Sequence, residues 1–84
     1  MKEMDCVEVL VEKERYAKCG VHKGMQGWIC DPRSINDARL VSFPRYGDNG
    51  EIATIAIKEA DLKLLPDGLD ETATQRIEAE FTIY

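Results

Sequence analysis

The chain of 84 residues contains 44% hydrophobic and 32% charged residues, a composition typical of one globular domain and unlike that of a disordered chain. Eleven basic against sixteen acidic residues give a net charge of −5, which disfavours strong attraction to a nucleic-acid backbone. Apolar runs are short and the first residues lack a signal-peptide pattern, so we expect no membrane span and a cytoplasmic location. Three cysteines at spacings of no disulfide framework favour free thiols.

The first predicted strand covers residues 5–12, where Val7, Val9 and Val11 alternate with residues that include two glutamates. This period of two, with β-branched side chains, predicts a strand that buries one face. Residues 13–23 are polar and basic and keep no period. We therefore predict a long irregular loop after the first strand.

Two glycines, Gly24 and Gly27, precede a short apolar run and predict a tight turn into a second strand over 26–30. Pro32 cannot continue a central strand, so this strand ends near Asp31. Residues 34–37 are then predicted to form a turn or loop.

Two longer strands follow, over 38–43 and 51–57, and Asn49-Gly50 between them is a strong hairpin signal. The residues expected to face the core are Val41, Phe43, Ile55 and Ile57. Residues 58–61 fit one helical turn, and 62–65 form a short closing strand that ends at Pro66. Five short strands predict a small all-β barrel over residues 1–66.

Residues 67–84 form an acidic C-terminal extension, with one arginine against five carboxylates. Apolar residues recur at four-residue intervals, as in an amphipathic helix, at Leu69, Ala73, Ile77 and Phe81. Alternation over 76–84 instead favours a strand with Ile77, Ala79, Phe81 and Ile83 on one side. We predict a short helical turn followed by a strand that packs on the barrel or on a partner, since an exposed strand edge must be paired. That pairing could join a partner's sheet or a second copy as a homodimer.

Several motifs together resemble SH3-like barrels. They are an Asp-x-Val-x-Val strand, a long loop, Lys23-Gly24-x-x-Gly27-x-Ile29, a strand ending in Phe43, an Asp48-x-Gly50 hairpin and an Ala60-Asp61-Leu62 turn. The resemblance spans about residues 4–65 and is nearest to a bacterial group of small uncharacterised SH3-like domains. KOW domains, which bind nucleic acid, and the nitrile hydratase β-subunit barrel are similar more distantly. It implies a five-stranded SH3-like barrel and little about function, because small barrels have many roles.

The sequence offers no recognisable catalytic centre or small-molecule substrate site. His22 is the single histidine, and neither a nucleophile context nor a carboxylate pair is evident, so we expect no enzyme and no cofactor. Cys19-x-x-His22 with Cys30 and Cys6 could form a tetrahedral zinc site. Only one short ligand spacing is present, however, and small thiols pack well within strands, so we expect no metal.

We predict a non-catalytic protein-interaction module. If Ile29 faces the core, Trp28 points outward as a binding anchor, unless the C-terminal extension covers it. The predicted partner-binding residues are Trp28, Tyr16, Tyr46, Ile77, Phe81 and Ile83. An alternative is a KOW-like domain associated with RNA or the ribosome, using Lys13, Arg15, Lys18 and Lys23. A further alternative is an accessory subunit of an enzyme complex.

Overall fold

The computed structural model describes residues 1–44 and 50–81, without the side chain of residue 71. The elements in chain order are strand β1 (Cys6–Val9), helix α1 (Glu14–Ala17), strands β2 (Gln26–Ile29), β3 (Ala38–Pro44) and β4 (Glu51–Lys58), a 3-10 helix (Glu59–Asp61), strand β5 (Leu62–Leu64) and helix α2 (Glu71–Phe81). The prediction of a small, mostly β fold with five short strands is confirmed.

All five strands form one antiparallel sheet in the order β4-β3-β2-β1-β5. Strand β1 pairs with both β2 and β5, so the first and the fifth strands are neighbours. Strands β3 and β4 pair antiparallel, as the predicted hairpin requires, although Asn49 of its turn lies outside the described residues.

The core packs against one face of the sheet. The fully or almost fully buried apolar side chains are Val7, Val9, Tyr16, Val21, Met25, Ile29, Val41, Phe43, Ile57 and Leu62. Of the predicted inward set, Val41, Phe43 and Ile57 are fully buried, and Ile55 packs partly buried against them. Val11 also packs against this core from beyond the end of β1.

The two glycines at the start of β2 are required for different structural reasons. Gly24 has φ +90°, a conformation that side chains rarely adopt, and a Cβ there would lie 2.8 Å from Ile77 Cδ1. Gly27 lies in β2, where a Cβ would lie 2.3 Å from the carbonyl oxygen of Ser42. The pair therefore permits close contact of β2 with α2 on one side and with β3 on the other.

Residues 13–23, predicted to be an irregular loop, contain the short helix α1. The amides of Tyr16 and Ala17 donate to the carbonyl of Lys13, and Tyr16 is fully buried. A single helical turn is too short to produce a helical period in the sequence. The burial of Tyr16 in the core, rather than a local sequence pattern, therefore stabilises α1.

The predicted strand in the C-terminal extension is wrong over residues 76–81, which belong to helix α2. Asp70 Oδ1 accepts hydrogen bonds from the amides of Thr72 and Ala73 and so caps the first turn. Thr74 and Ile77 pack on the body of the protein, whereas Ala79, an inward position of the predicted strand, is exposed. The helical period therefore prevails over the alternation because it matches the surface that α2 covers.

Candidate functional site

Two of the four predicted partner-binding residues that the structure describes pack inward. Tyr16 is fully buried, so its prediction as a surface contact is wrong: the phenol anchors α1 to the core. Ile77 is also turned inward, partly buried against the core. Phe81 is 54% exposed and Trp28 is half-buried. The two other members, Tyr46 and Ile83, lie outside the described residues.

The exposed ring of Phe81 stacks on His22, with ring centroids 3.5 Å apart and an interplanar angle of 5°. His22 is itself buried, and its Nδ1 lies 2.7 Å from Glu12 Oε2. Burial opposes ionisation of Glu12, but hydrogen bonds from the Lys23 amide and from His22 outweigh it and lower the pKa of this carboxyl. His22 therefore connects the end of α2, through Phe81, with the loop after β1, through Glu12.

The proposed cysteine and histidine ligands have other surroundings. Cys6, Cys19 and Cys30 are free thiols, and Cys19 is exposed while the other two are half-buried. Burial is the main cause that raises the pKa of Cys30, whose thiol also donates to the carbonyl of Leu40. Within residues 1–44 and 50–81, no three or more His, Cys, Asp or Glu side chains are grouped so as to hold a metal ion.

The basic loop is organised around a buried pair, Tyr16 and Asp61. The Tyr16 hydroxyl donates to Asp61 Oδ2 at 2.7 Å, and Lys13 Nζ lies 2.7 Å from the same oxygen. The hydrogen bond from Lys13 is the main cause that lowers the pKa of Asp61, and Asp61 in turn raises the pKa of Lys13. Lys18 and Lys23 are exposed. The four predicted phosphate ligands thus include one lysine that is committed to an internal carboxylate.

Arg15, the next cation of this loop, is held in a fixed position. Its guanidinium carbon lies 4.6 Å from the centroid of the Tyr16 ring, within cation-π range. Nη2 donates to the Tyr16 hydroxyl at 3.1 Å and Nη1 to the carbonyl of Ala56 at 3.5 Å. The buried tyrosine therefore directs an exposed arginine toward strand β4.

A groove of about 550 Å³ lies at this place, on the sheet face that points away from the core. We call it the β3–β4 groove. It is lined by Arg15, Asp31, Arg33, Ile35, Asn36, Ala38, Leu40, Ala56 and Lys58. Its floor is apolar: Leu40 pairs with Ala56 across the two strands, and Ala38 pairs with Lys58. The small side chains of the two alanines leave room above the sheet.

One wall of the groove is a two-residue turn. Ile35 and Ala38 exchange backbone hydrogen bonds of 3.1 and 2.9 Å, and Asn36 and Asp37 between them have φ of 53° and 62°. Positive φ at both central residues is typical of a type I′ hairpin turn, which Asn and Asp tolerate well. This turn presents Ile35 with 61% of its surface exposed.

The rim carries three cations and one carboxylate. Asp31 accepts two hydrogen bonds from the Arg33 guanidinium, at 3.0 and 2.7 Å, and one from the Arg33 amide at 2.9 Å, and these bonds lower the pKa of Asp31 to about 2. Within the described residues, Lys58 has no carboxylate partner within 4.0 Å. Arg15, Arg33 and Lys58 against Asp31 give the groove a charge of +2, in a chain whose net charge is −5.

The adjacent edge of the sheet is partly occupied. Strand β4 is an edge strand, but the amide of Lys58 donates to the Tyr16 hydroxyl at 3.3 Å and the carbonyl of Ala56 accepts from Arg15. The single N–H of Lys58 is therefore already used, which disfavours an added strand at this end of β4.

Sequence reasoning missed the groove, although two signals were present. If Val41 faces the core, alternation places Leu40 on the opposite face of the strand, where an apolar side chain is unexpected unless another group covers it. Ile35 stands among polar turn residues. Neither signal reveals that α1 brings Arg15 to the same place, since this contact joins residues 41 positions apart.

The described part of the chain has no helix with the length and apolar character needed to cross a membrane. No family model, curated protein or solved structure matches this chain.

Proposed function

We propose that this chain is a non-catalytic protein-interaction module, built on an SH3-like barrel with a helical extension, and that it acts in the cytoplasm. The five-stranded antiparallel sheet supports this proposal, because β1 pairs with both β2 and β5 and so brings the start and the end of the predicted barrel region together. The 3-10 helix between β4 and β5 coincides with the Ala60-Asp61-Leu62 turn of the resemblance. In addition, Ile52 of β4 lies close to Gly20 in the loop that leads to β2.

The β3–β4 groove is the observation that carries this proposal. Its apolar floor is continuous with Ile35, and cationic side chains surround it. An exposed apolar patch with a polar rim is typical of protein-interaction sites, because its burial by a partner removes apolar surface from water. Ile35 is held by a turn rather than by the core, so its side chain remains presented to a partner.

The groove favours a protein over RNA. No aromatic ring is among the described residues that line the groove, so these residues offer bases no stacking platform. In the basic loop, Tyr16 is buried and Lys13 pairs with Asp61, which weakens the support for the KOW-like alternative. An accessory subunit of an enzyme complex is the special case in which the partner is an enzyme.

Site-specific photo-crosslinking in cells of the native host tests the proposal. A photoreactive amino acid replaces Ile35 or Leu40 in the groove, and Met4 or Lys63 at positions outside it. Met4 is a matched control because it is a similarly exposed apolar residue, at 68%. We expect both groove positions to crosslink the same protein and the control positions to leave it unlabelled.

Three results would overturn the proposal: crosslinks from the groove only to RNA, no crosslink from either groove position, or equal labelling from the control positions. Mass spectrometry of the crosslinked species distinguishes these results.

A further inference from the structure

We infer that the β3–β4 groove binds an acidic linear segment of the partner protein, with one aliphatic side chain on the apolar floor and carboxylates at the cationic rim. This inference rests on the proposed function and specifies the chemistry of the partner. The lining of the groove carries the inference, since it combines apolar and cationic side chains in one depression.

The charge of the groove selects an anionic occupant. Asp31 pairs with Arg33 through a bidentate contact, which leaves Arg15 and Lys58 as the two rim cations that have no carboxylate within 4.0 Å among the described residues. Arg15 uses two of its five N–H groups within the protein and is already oriented by Tyr16. A partner carboxylate can therefore pair with a guanidinium that loses little conformational freedom on binding. The net charge of −5 disfavours non-specific attraction of an acidic segment to the rest of the chain.

The floor selects an aliphatic side chain. Ala38 and Ala56 are too small to fill the space above the strands, and Leu40 and Ile35 provide apolar walls. A leucine, isoleucine or methionine of the partner would bury apolar surface against all four residues, which is the main source of affinity in such contacts. The partner segment thus needs one aliphatic residue with acidic residues close to it in sequence.

The backbone of β4 determines the binding mode. The amide of Lys58 already donates to the Tyr16 hydroxyl, so the segment would have to break this hydrogen bond in order to extend the sheet at this end of β4. It lies across the outer face of β3 and β4 instead and is recognised through its side chains. This mode distinguishes the groove from sites that bind peptides by strand addition.

The openness of the groove favours a segment of a protein over a small molecule. Small-molecule sites enclose most of their ligand, whereas Ile35 is 61% exposed and the side chain of Arg33 is 73% exposed. An isolated segment should therefore bind weakly, with a dissociation constant on the order of 1 mM, and the partner's surrounding surface supplies the remaining affinity.

NMR titration of the full-length, ¹⁵N-labelled protein at low ionic strength tests the inference. The probe is a blocked five-residue peptide with a central leucine flanked on each side by two glutamates. Comparison probes replace the leucine by serine or all glutamates by lysine; hexanoate and a uridine hexanucleotide represent small anions and RNA. We expect the acidic leucine peptide to shift the amides of Ala38, Leu40, Ala56 and Lys58, with binding at least fivefold weaker for every comparison probe.

Two pairs of variants locate the binding. Lys58→Glu should weaken binding about fivefold because it replaces attraction by repulsion, whereas Lys63→Glu, an equal charge change outside the groove, should leave it within twofold. Ile35→Ser should also weaken binding about fivefold, and Met4→Ser should not. All four positions are exposed, so each variant should keep the dispersed spectrum of the folded protein.

The inference is overturned if the lysine peptide binds as well as the acidic one, if hexanoate or the hexanucleotide binds equally tightly, or if the shifts lie outside β3 and β4. The same conclusion follows if the groove variants bind like their controls. A protein crosslinked from Ile35 and Leu40 would in those cases still support an interaction module, so failure of the ligand chemistry and failure of the proposed function are distinguishable.

Discussion

Replacing Tyr16 by Phe should destabilise the protein although it removes a single oxygen atom. The Tyr16 hydroxyl donates to Asp61 Oδ2 at 2.7 Å and accepts from Arg15 Nη2 at 3.1 Å and from the Lys58 amide at 3.3 Å. Tyr16 is fully buried and Asp61 is 8% exposed, so water cannot easily replace the lost contacts.

The bond to the Asp61 carboxylate dominates the expected cost, since a hydrogen bond to a charged group contributes about 1.5–3 kcal/mol and the two longer bonds contribute less. We expect Tyr16→Phe to lower the free energy of unfolding by about 2 kcal/mol. A chain of 84 residues at roughly 0.05–0.15 kcal/mol per residue has a total of about 4–13 kcal/mol. The variant should therefore remain folded in the absence of denaturant.

Urea unfolding followed by the fluorescence of Trp28, the one tryptophan of the chain, measures this change. With a slope of about 1 kcal/mol per molar urea, the midpoint should fall by about 2 M. A double-mutant cycle with Asp61→Asn isolates the contact between the two side chains, and we expect a coupling energy of about 1–2 kcal/mol. A loss below about 0.5 kcal/mol, or additive effects of the two substitutions, would refute the reasoning.

The destabilisation caused by Tyr16→Phe should also depend on pH. The pKa of Asp61 is lowered in the folded protein, mainly by the hydrogen bond from Lys13 and also by that from Tyr16. A carboxyl with a lowered pKa stabilises the fold above its unfolded pKa, and this contribution is lost as the pH falls through its folded pKa. The difference between wild type and Tyr16→Phe should therefore be constant near neutral pH and shrink only as the pH falls through the folded pKa of Asp61, which lies below its ordinary value of about 3.9. A difference that grows as the pH falls below this ordinary value would contradict this role of Asp61.

Two further predictions concern the helical extension and the rim of the groove. Gly24→Ala should destabilise the protein by about 0.5–1.5 kcal/mol more than Gly68→Ala, because both glycines have φ near +90° but only at Gly24 would a Cβ lie 2.8 Å from Ile77 Cδ1, whose side chain must then leave its rotamer; a lower melting temperature for Gly68→Ala than for Gly24→Ala would refute this reasoning. Carboxyl NMR should give Asp31 a pKa of about 2, and Arg33→Ala should return it toward its ordinary value, since hydrogen bonds from Arg33 are the main cause of the shift; a value unchanged in the variant would refute this assignment.

Local patterns in the sequence were sufficient for most of the sheet. Alternation with β-branched residues placed β1, and inward positions such as Val41 and Phe43 followed from the same period. A strand with one buried face repeats every two residues, so a few neighbouring residues hold this information. The one helical turn before β5 was predicted in the same way and is present as the 3-10 helix.

Helix α2 shows where local patterns are insufficient. Residues 76–81 fit a strand and a helix about equally, and the choice depends on what the apolar positions meet. In the described structure, Ile77 packs over Gly24 and the Phe81 ring stacks on His22. The Thr74 hydroxyl accepts a hydrogen bond from the amide of Gln26 in β2. Each of these contacts joins distant parts of the chain, so no short window of sequence contains them.

The sequence by itself determined a small, mostly β chain with five strands, because strand periodicity and turn chemistry are local properties. Only the tertiary structure decided which polar and apolar side chains share a site. Tyr16 was expected at a surface but lies in the core, where it orients Arg15 over the outer face of β4. The apolar floor beside it has its own local signals in Ile35 and Leu40. The combination of that floor with a fixed cation depends on contacts between residues far apart in sequence, and such contacts exist only once the chain is folded.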